Sequence, residues 1–180
     1  MKLIGKQKQT NFGVIQKKLF FIDYNDSKVI DRLQNKIKEN LIPSMTRRTN
    51  VKGEMTSWNC FVDDKDFLKV MEFINPYLFK FICDYKKQTD RVNLIDAWGN
   101  KLLKNDYIQK HDHMVGGWNG LSGNMYFSDK EPGTYFVSLK GGIKPKKGRI
   151  VIFDSTELHL VDVVKDKEPR YTLAFNMKYE

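Results

Sequence analysis

Three histidines, His111, His113 and His159, are the only imidazoles in the 180-residue chain. His111 and His113 form an H-x-H, and in an extended segment residues two apart project from the same side. His159 follows an apolar stretch, 149–153, whose strand could lie beside the first pair in a barrel. Imidazole suits iron, copper, zinc and nickel alike, so the three point to a metal site without choosing the metal. A single histidine is more often a surface or satisfied interior residue. The pairing, and the fact that no histidine is used elsewhere, weigh against that here.

Arg170 opens the last apolar stretch, RYTLAFN, eleven residues after His159. Thr172, two residues on, shares its face in a strand. A buried guanidinium offers a planar fork to a carboxylate. Taken alone, Arg170 fits an ion pair at the surface at least as well.

Two kinds of element must position these residues. Asn25, Asp26 and Ser27 are capping residues ahead of Val29, Ile30, Leu33, Ile37 and Leu41 at helical spacing, with Pro43 ending the run. A second helix is expected over 66–86, with Phe67, Val70, Met71, Ile74, Leu78, Phe81 and Ile82 on one side and Pro76 kinking or splitting it. Residues 13–24 read as a short strand region. From Val92 onward short β-rich pieces follow one another, at 92–103, 107–111, 121–127, 134–139, 149–153, 158–163 and 171–179. Turn residues separate them at 104–106, 129–133, 141–142, 146–148 and 165–169. Regular short strands predict a sandwich or jelly-roll barrel, and helices before strands predict helices on one outer face. The chain therefore reads as a single domain, 1–180, with a helical support over about 1–91 and a β core over about 92–180.

The stretches KHDHMVGGWNGLSGNMYF, IKPKKGRIVIFDSTELHLVDVV and PRYTLAFNMKY resemble the catalytic core of the Fe(II)/2-oxoglutarate-dependent oxygenases. Within that superfamily they are similar to the prolyl-4-hydroxylase-like group and its bacteriophage-encoded members. The upstream TNVKGEMTSW resembles the phage proteins too, although no chemistry attaches to it. The resemblance implies a mainly β fold with N-terminal helices and a double-stranded β-helix (jelly roll, cupin-like) core. It implies a dioxygenase, a hydroxylase that converts 2-oxoglutarate and O2 to succinate and CO2 while oxidising a C–H bond. By position His111 and His159 fall on the iron ligands. Arg170 falls on the residue that pairs with the distal carboxylate of 2-oxoglutarate, Thr172 on a supporting hydroxyl, and Tyr126 on a tyrosine that contacts the same carboxylate. Tyr126 would serve equally as a core aromatic. The family pattern has Asp or Glu where this chain has His113, so the expected second ligand is His113, with Asp112 as the alternative. Gly116, Gly117 and Trp118 beside the ligands suit a loop that covers substrate, or an ordinary irregular connection.

Composition limits the remaining classes. The chain has 31 Lys and Arg against 22 Asp and Glu, a formal charge of +9, with basic pairs at 17–18, 47–48, 86–87 and 146–147. That charge fits a solvated basic surface, or weak nucleic-acid affinity, without a zinc-finger or RRM signature. No apolar run would span a bilayer and no secretion signal is seen, so a cytoplasmic location with Cys60 and Cys83 as free thiols is expected. The primary substrate stays open among protein side chains, nucleobases and small molecules. The competing functions are a non-catalytic jelly roll holding metal and a nucleic-acid-associated module.

Overall fold

The computed structural model describes residues 12–15, 18–42, 49–86, 92–113 and 120–179. Among them twelve strands occur: β1 (Phe12–Ile15), β2 (Leu19–Asp23), β3 (Val51–Lys52), β4 (Glu54–Met55), β5 (Val92–Leu102), β6 (Tyr107–His111), β7 (Gly120–Tyr126), β8 (Thr134–Phe136), β9 (Gly141–Ile143), β10 (Arg149–Asp154), β11 (His159–Val161) and β12 (Arg170–Tyr179). They form two antiparallel sheets, one in the order β1-β2-β10-β7-β12-β5-β4 and the other β3-β6-β11-β8-β9. From β5 to β12 the chain passes back and forth between the sheets, and side chains from both line one interior. That is the jelly-roll, double-stranded β-helix architecture read from the strand spacing.

Two helices cover the outer face of the larger sheet. α1 (Ser27–Glu39) starts where the Asp26 carboxylate accepts from the Val29 amide at 3.1 Å, and it buries Val29, Ile30, Leu33 and Ile37. α2 (Lys65–Phe81) starts at Asp64, whose carboxylate accepts from the amides of Asp66 and Phe67. It runs unbroken through Pro76 and ends in one wide turn over Ile82–Lys86. Of the kink or split expected at Pro76, the split does not occur. Phe67, Val70 and Ile74 before it and Leu78 and Phe81 after it are all buried on one face. Burial of that stripe outweighs the one backbone hydrogen bond that proline removes.

The larger sheet separates two environments by strict alternation. On β12, Leu173, Phe175 and Met177 pack under the helices, while Arg170, Thr172 and Ala174 line the barrel interior. Gly123 on β7 leaves room for Phe175: a Cβ there would lie 2.2 Å from that ring. β5 alone changes parity along its length. Asn176 of β12 pairs with Asp96 but Met177 pairs with Leu94, so Ile95 is an extra residue, a β-bulge. Before it, Val92 and Leu94 pack with the helices; after it, Ala97 does, and Asp96, Trp98 and Asn100 turn to the interior.

Two further departures from expectation concern strands. Gly141 and Gly142, expected as a turn, lie in β9 and pair with Phe136 and Tyr135 of β8. The N-terminal region is not only helical: β2 pairs with β10, while β3 and β4 join different sheets through β6 and β5. Gly116, Gly117, Trp118, Pro43 and the Arg47-Arg48 pair lie outside the described residues.

Candidate metal and carboxylate site

β6 and β11 are neighbours in the smaller sheet, and their pairing sets His111 directly opposite His159. Strand β10 lies in the other sheet, so the expected juxtaposition is made by β11 instead. His113, two residues beyond His111, folds over the same spot. One ligand atom from each of the three lies within 4.8 Å of the others. Nε2 of His113 and Nε2 of His159 are 3.3 Å apart, and the rings of His111 and His159 are 4.3 Å apart.

The backbone fixes how the rings point. Nδ1 of His111 lies 2.7 Å from the Gln109 carbonyl and Nδ1 of His159 lies 2.8 Å from the Glu157 carbonyl. Carbonyls only accept, so each Nδ1 carries the proton and each Nε2 keeps its lone pair for the centre. His113 is held by a hydrogen bond with Asn176, whose side-chain oxygen accepts from Ser122 at 2.7 Å. Burial lowers all three imidazoles below their ordinary value: His113 falls to about 4, with His111 beside it adding to the effect, and His159 lies well below 6.5. Neutral, convergent imidazoles are what a divalent transition metal requires.

An inner cavity runs from these rings to Arg170. Arg170 is 3% exposed. Its Nε donates to the Pro132 carbonyl at 2.9 Å, but Nη1 and Nη2 have no acceptor in hydrogen-bond geometry. Burial pushes its pKa down, partly opposed by Tyr126 and Glu131. Thr172 lines this cavity, and Asn100 donates to its hydroxyl at 3.5 Å while Asn100 Oδ1 has no partner. The Tyr126 ring lies 5.5 Å from the guanidinium carbon. The Tyr126 hydroxyl is engaged with Thr134, donating to Oγ1 and accepting from the amide, both at 2.9 Å. A buried guanidinium with two open nitrogens fits a ligand carboxylate, because a charge so placed needs an anionic partner.

An outer cavity of about 400 Å³ is also bordered by His111 and His113. Asp112 lines it, outside the cluster of three histidines. Trp58, Trp98, Asp96 and Asn176 line it as well, and none of these four was singled out from the sequence. The segment TNVKGEMTSW supplies Thr49, Asn50, Val51 and Trp58. It is tied to β5 by the Gly99 amide donating to Thr56 Oγ1 at 2.9 Å and by the Thr56 amide donating to the Gly99 carbonyl at 3.0 Å.

The architecture is thus a double-stranded β-helix whose interior holds three convergent histidines on one cavity, two of which also border a second. Solved structures share it at low sequence identity. The viral collagen prolyl hydroxylase of Paramecium bursaria Chlorella virus-1, in complex with 2-oxoglutarate, matches with a TM-score of 0.66 at 22% identity, over 91% of this chain and 97% of that one. A prolyl-4-hydroxylase of Pseudomonas putida matches with a TM-score of 0.64 at 14% identity, over 88% and 90%. HygX of Streptomyces hygroscopicus, solved with nickel, 2-oxoglutarate and hygromycin B, matches with a TM-score of 0.67 at 9% identity, over 89% and 82%. These likenesses establish the fold. No protein-family model matches the chain, and no curated protein matches its sequence.

Proposed function

We propose that the protein is an Fe(II)- and 2-oxoglutarate-dependent dioxygenase that hydroxylates a C–H bond of a second substrate. The observation that carries this reading is the pairing of three neutral, convergent imidazoles with a buried guanidinium whose two outer nitrogens are open, on one cavity of this fold. His111, His113 and His159 would hold the metal, with His113 preferred over Asp112, which stands outside the cluster of three convergent ligand atoms. Arg170 would hold the distal carboxylate of 2-oxoglutarate, supported by Thr172 and Asn100, with the Tyr126–Thr134 pair setting the wall beside the guanidinium. When bound, iron and 2-oxoglutarate supply the oxidising power: O2 is consumed, 2-oxoglutarate becomes succinate and CO2, and the substrate C–H becomes C–OH. The chain binds, orients and shields. Phe153 and Phe136 pack against His159, at ring distances of 4.7 and 5.9 Å, and keep that side of the site apolar. Strands from residues 12–55 complete both sheets, which supports a single functional domain.

The test is calorimetry on anaerobic, Mn(II)-loaded protein, followed by a succinate assay with Fe(II), 2-oxoglutarate, O2 and ascorbate. We expect 2-oxoglutarate to bind and slow succinate release without added substrate. Metal binding without 2-oxoglutarate binding would replace this reading with a non-catalytic metal-holding jelly roll.

A further inference from the structure

The outer cavity carries polar groups that the oxygenase reading leaves without work. Asp96 is turned into it by the bulge at Ile95, and its Oδ1 has no hydrogen-bond partner, while Asn176 bonds the carboxylate through its side chain and backbone. Trp98, 5% exposed, lines the same cavity and its Nε1 also lacks an acceptor. Trp58 stands edge-on to Trp98 at 4.6 Å and is 42% exposed, a large indole at the open side. Among the described residues that line the cavity, two are carboxylates, Asp96 and Asp112, and none is lysine or arginine.

Resting on the oxygenase reading, we infer that this cavity is the substrate subsite and that it selects an alkylammonium group: the indoles of Trp58 and Trp98 hold the apolar stem and Asp96 receives the N–H donors. A carboxylate oxygen held buried without a donor is destabilising until a donor arrives, and a cation supplies donor and charge together. The face of an indole adds cation–π attraction, and the apolar stem of an alkylammonium can pack along the same rings. About 400 Å³ holds a lysine-sized side chain and leaves its carbons within the cavity that His111 and His113 border. The ammonium binds at Asp96, and the carbon presented to the metal side is one of the stem carbons rather than the nitrogen.

The test is a tryptophan-fluorescence titration of the full chain, metal-free and again with Mn(II) and 2-oxoglutarate. The probes are the Nα-acetyl amides of lysine, norleucine and glutamate. The lysine probe is expected to bind about tenfold more tightly than norleucine, with glutamate weakest. In Asp96→Asn, shown folded by circular dichroism, that preference should fall to within about twofold. Trp58→Leu, at an exposed position, should weaken lysine and norleucine together. Equal binding of lysine and norleucine by the wild type, or a preference that survives in Asp96→Asn, would overturn the proposal. The metal-free arm does not depend on iron chemistry. A lysine preference without 2-oxoglutarate binding would therefore refute the oxygenase reading and keep the cation subsite, and 2-oxoglutarate turnover without a lysine preference would do the opposite.

Discussion

Replacing Arg170 with methionine should move two measurements in opposite directions. Arg170 is buried, its Nε donates to the Pro132 carbonyl at 2.9 Å, and Nη1 and Nη2 have no acceptor in hydrogen-bond geometry. Each buried unsatisfied polar group is destabilising by about 1–3 kcal/mol, and the charge adds to that. Against this stand the Nε hydrogen bond, about 1 kcal/mol, and the Tyr126 ring 5.5 Å away, about 1 kcal/mol more. The balance favours Arg170→Met by about 2 kcal/mol, since methionine fills an irregular apolar space with little strain. For a chain of this length that is a rise in Tm of roughly 4–8 °C. The same substitution removes a charge-assisted fork worth roughly 2–5 kcal/mol to a bound carboxylate, so 2-oxoglutarate affinity should drop by about thirtyfold or more. Thermal melts of anaerobic Mn(II)-loaded protein with and without 2-oxoglutarate read both effects. The variant should melt higher alone, gain up to about 2 kcal/mol less from 2-oxoglutarate than the wild type, and keep its Mn(II) affinity. A variant that melts lower and loses Mn(II) together with 2-oxoglutarate would show that Arg170 is a strut of the barrel.

Two other outcomes follow from the histidine cluster. His113→Ala should abolish tight Mn(II) binding in a metal titration while Asp112→Asn keeps most of it; the reverse result would restore a two-histidine, one-carboxylate site. The metal-free fold should weaken as pH falls below 6.5, because the unfolded chain then binds protons that buried His113, held at about 4, refuses. His113 alone gives a loss of about 2 kcal/mol by pH 5, and His111 and His159 act in the same direction. Asp96, pushed up to about 6 by burial, works the other way, since its carboxyl gains folded-state protons as pH falls. Urea denaturation of Asp96→Asn at pH 7.5 and pH 5 isolates the histidines, and equal stability at the two values would contradict their burial as neutral rings.

The β half of the fold was legible because its strands are short and bounded by turn residues. Six of the expected pieces overlap β5, β6, β7, β10, β11 and β12 closely. The three histidines, which do converge, stood out as the only imidazoles of the chain with two of them in an H-x-H, whereas Arg170 stood out only through the family resemblance. The outer cavity was not legible. Period-two reading from Val92 puts Asp96 and Trp98 on the helix face with Leu94, and only the extra residue at Ile95 reverses them. A bulge leaves no mark in composition, and Ile95 itself looks like any strand residue. β3 and β4 have two residues each, too few for alternation to show, so Trp58 had no element to sit on. Gly141 and Gly142 carry turn chemistry but lie on the edge strand, where pairing with β8 on one side is enough. Pro76 failed as a breaker because tertiary burial, which no local rule contains, decided the helix.

Bulge and ligand set meet in one electrostatic argument. A site with two histidines and one carboxylate leaves a divalent ion singly positive, and bound 2-oxoglutarate, a dianion, makes that assembly singly negative. With His113 as the third ligand the ion would stay doubly positive, and the same dianion would bring the ion and its ligands, Arg170 aside, only to neutral. A three-histidine centre therefore exerts no net attraction on a cationic substrate and, before 2-oxoglutarate binds, repels it. Any selection for a positive group has to come from charge outside the ligand set. Asp96 is placed there by the Ile95 bulge, and through Asn176 it also reaches His113. On the proposed assignments, 2-oxoglutarate would enter first and cancel the ion's charge, and an ammonium at Asp96 would then be held without opposition from the metal.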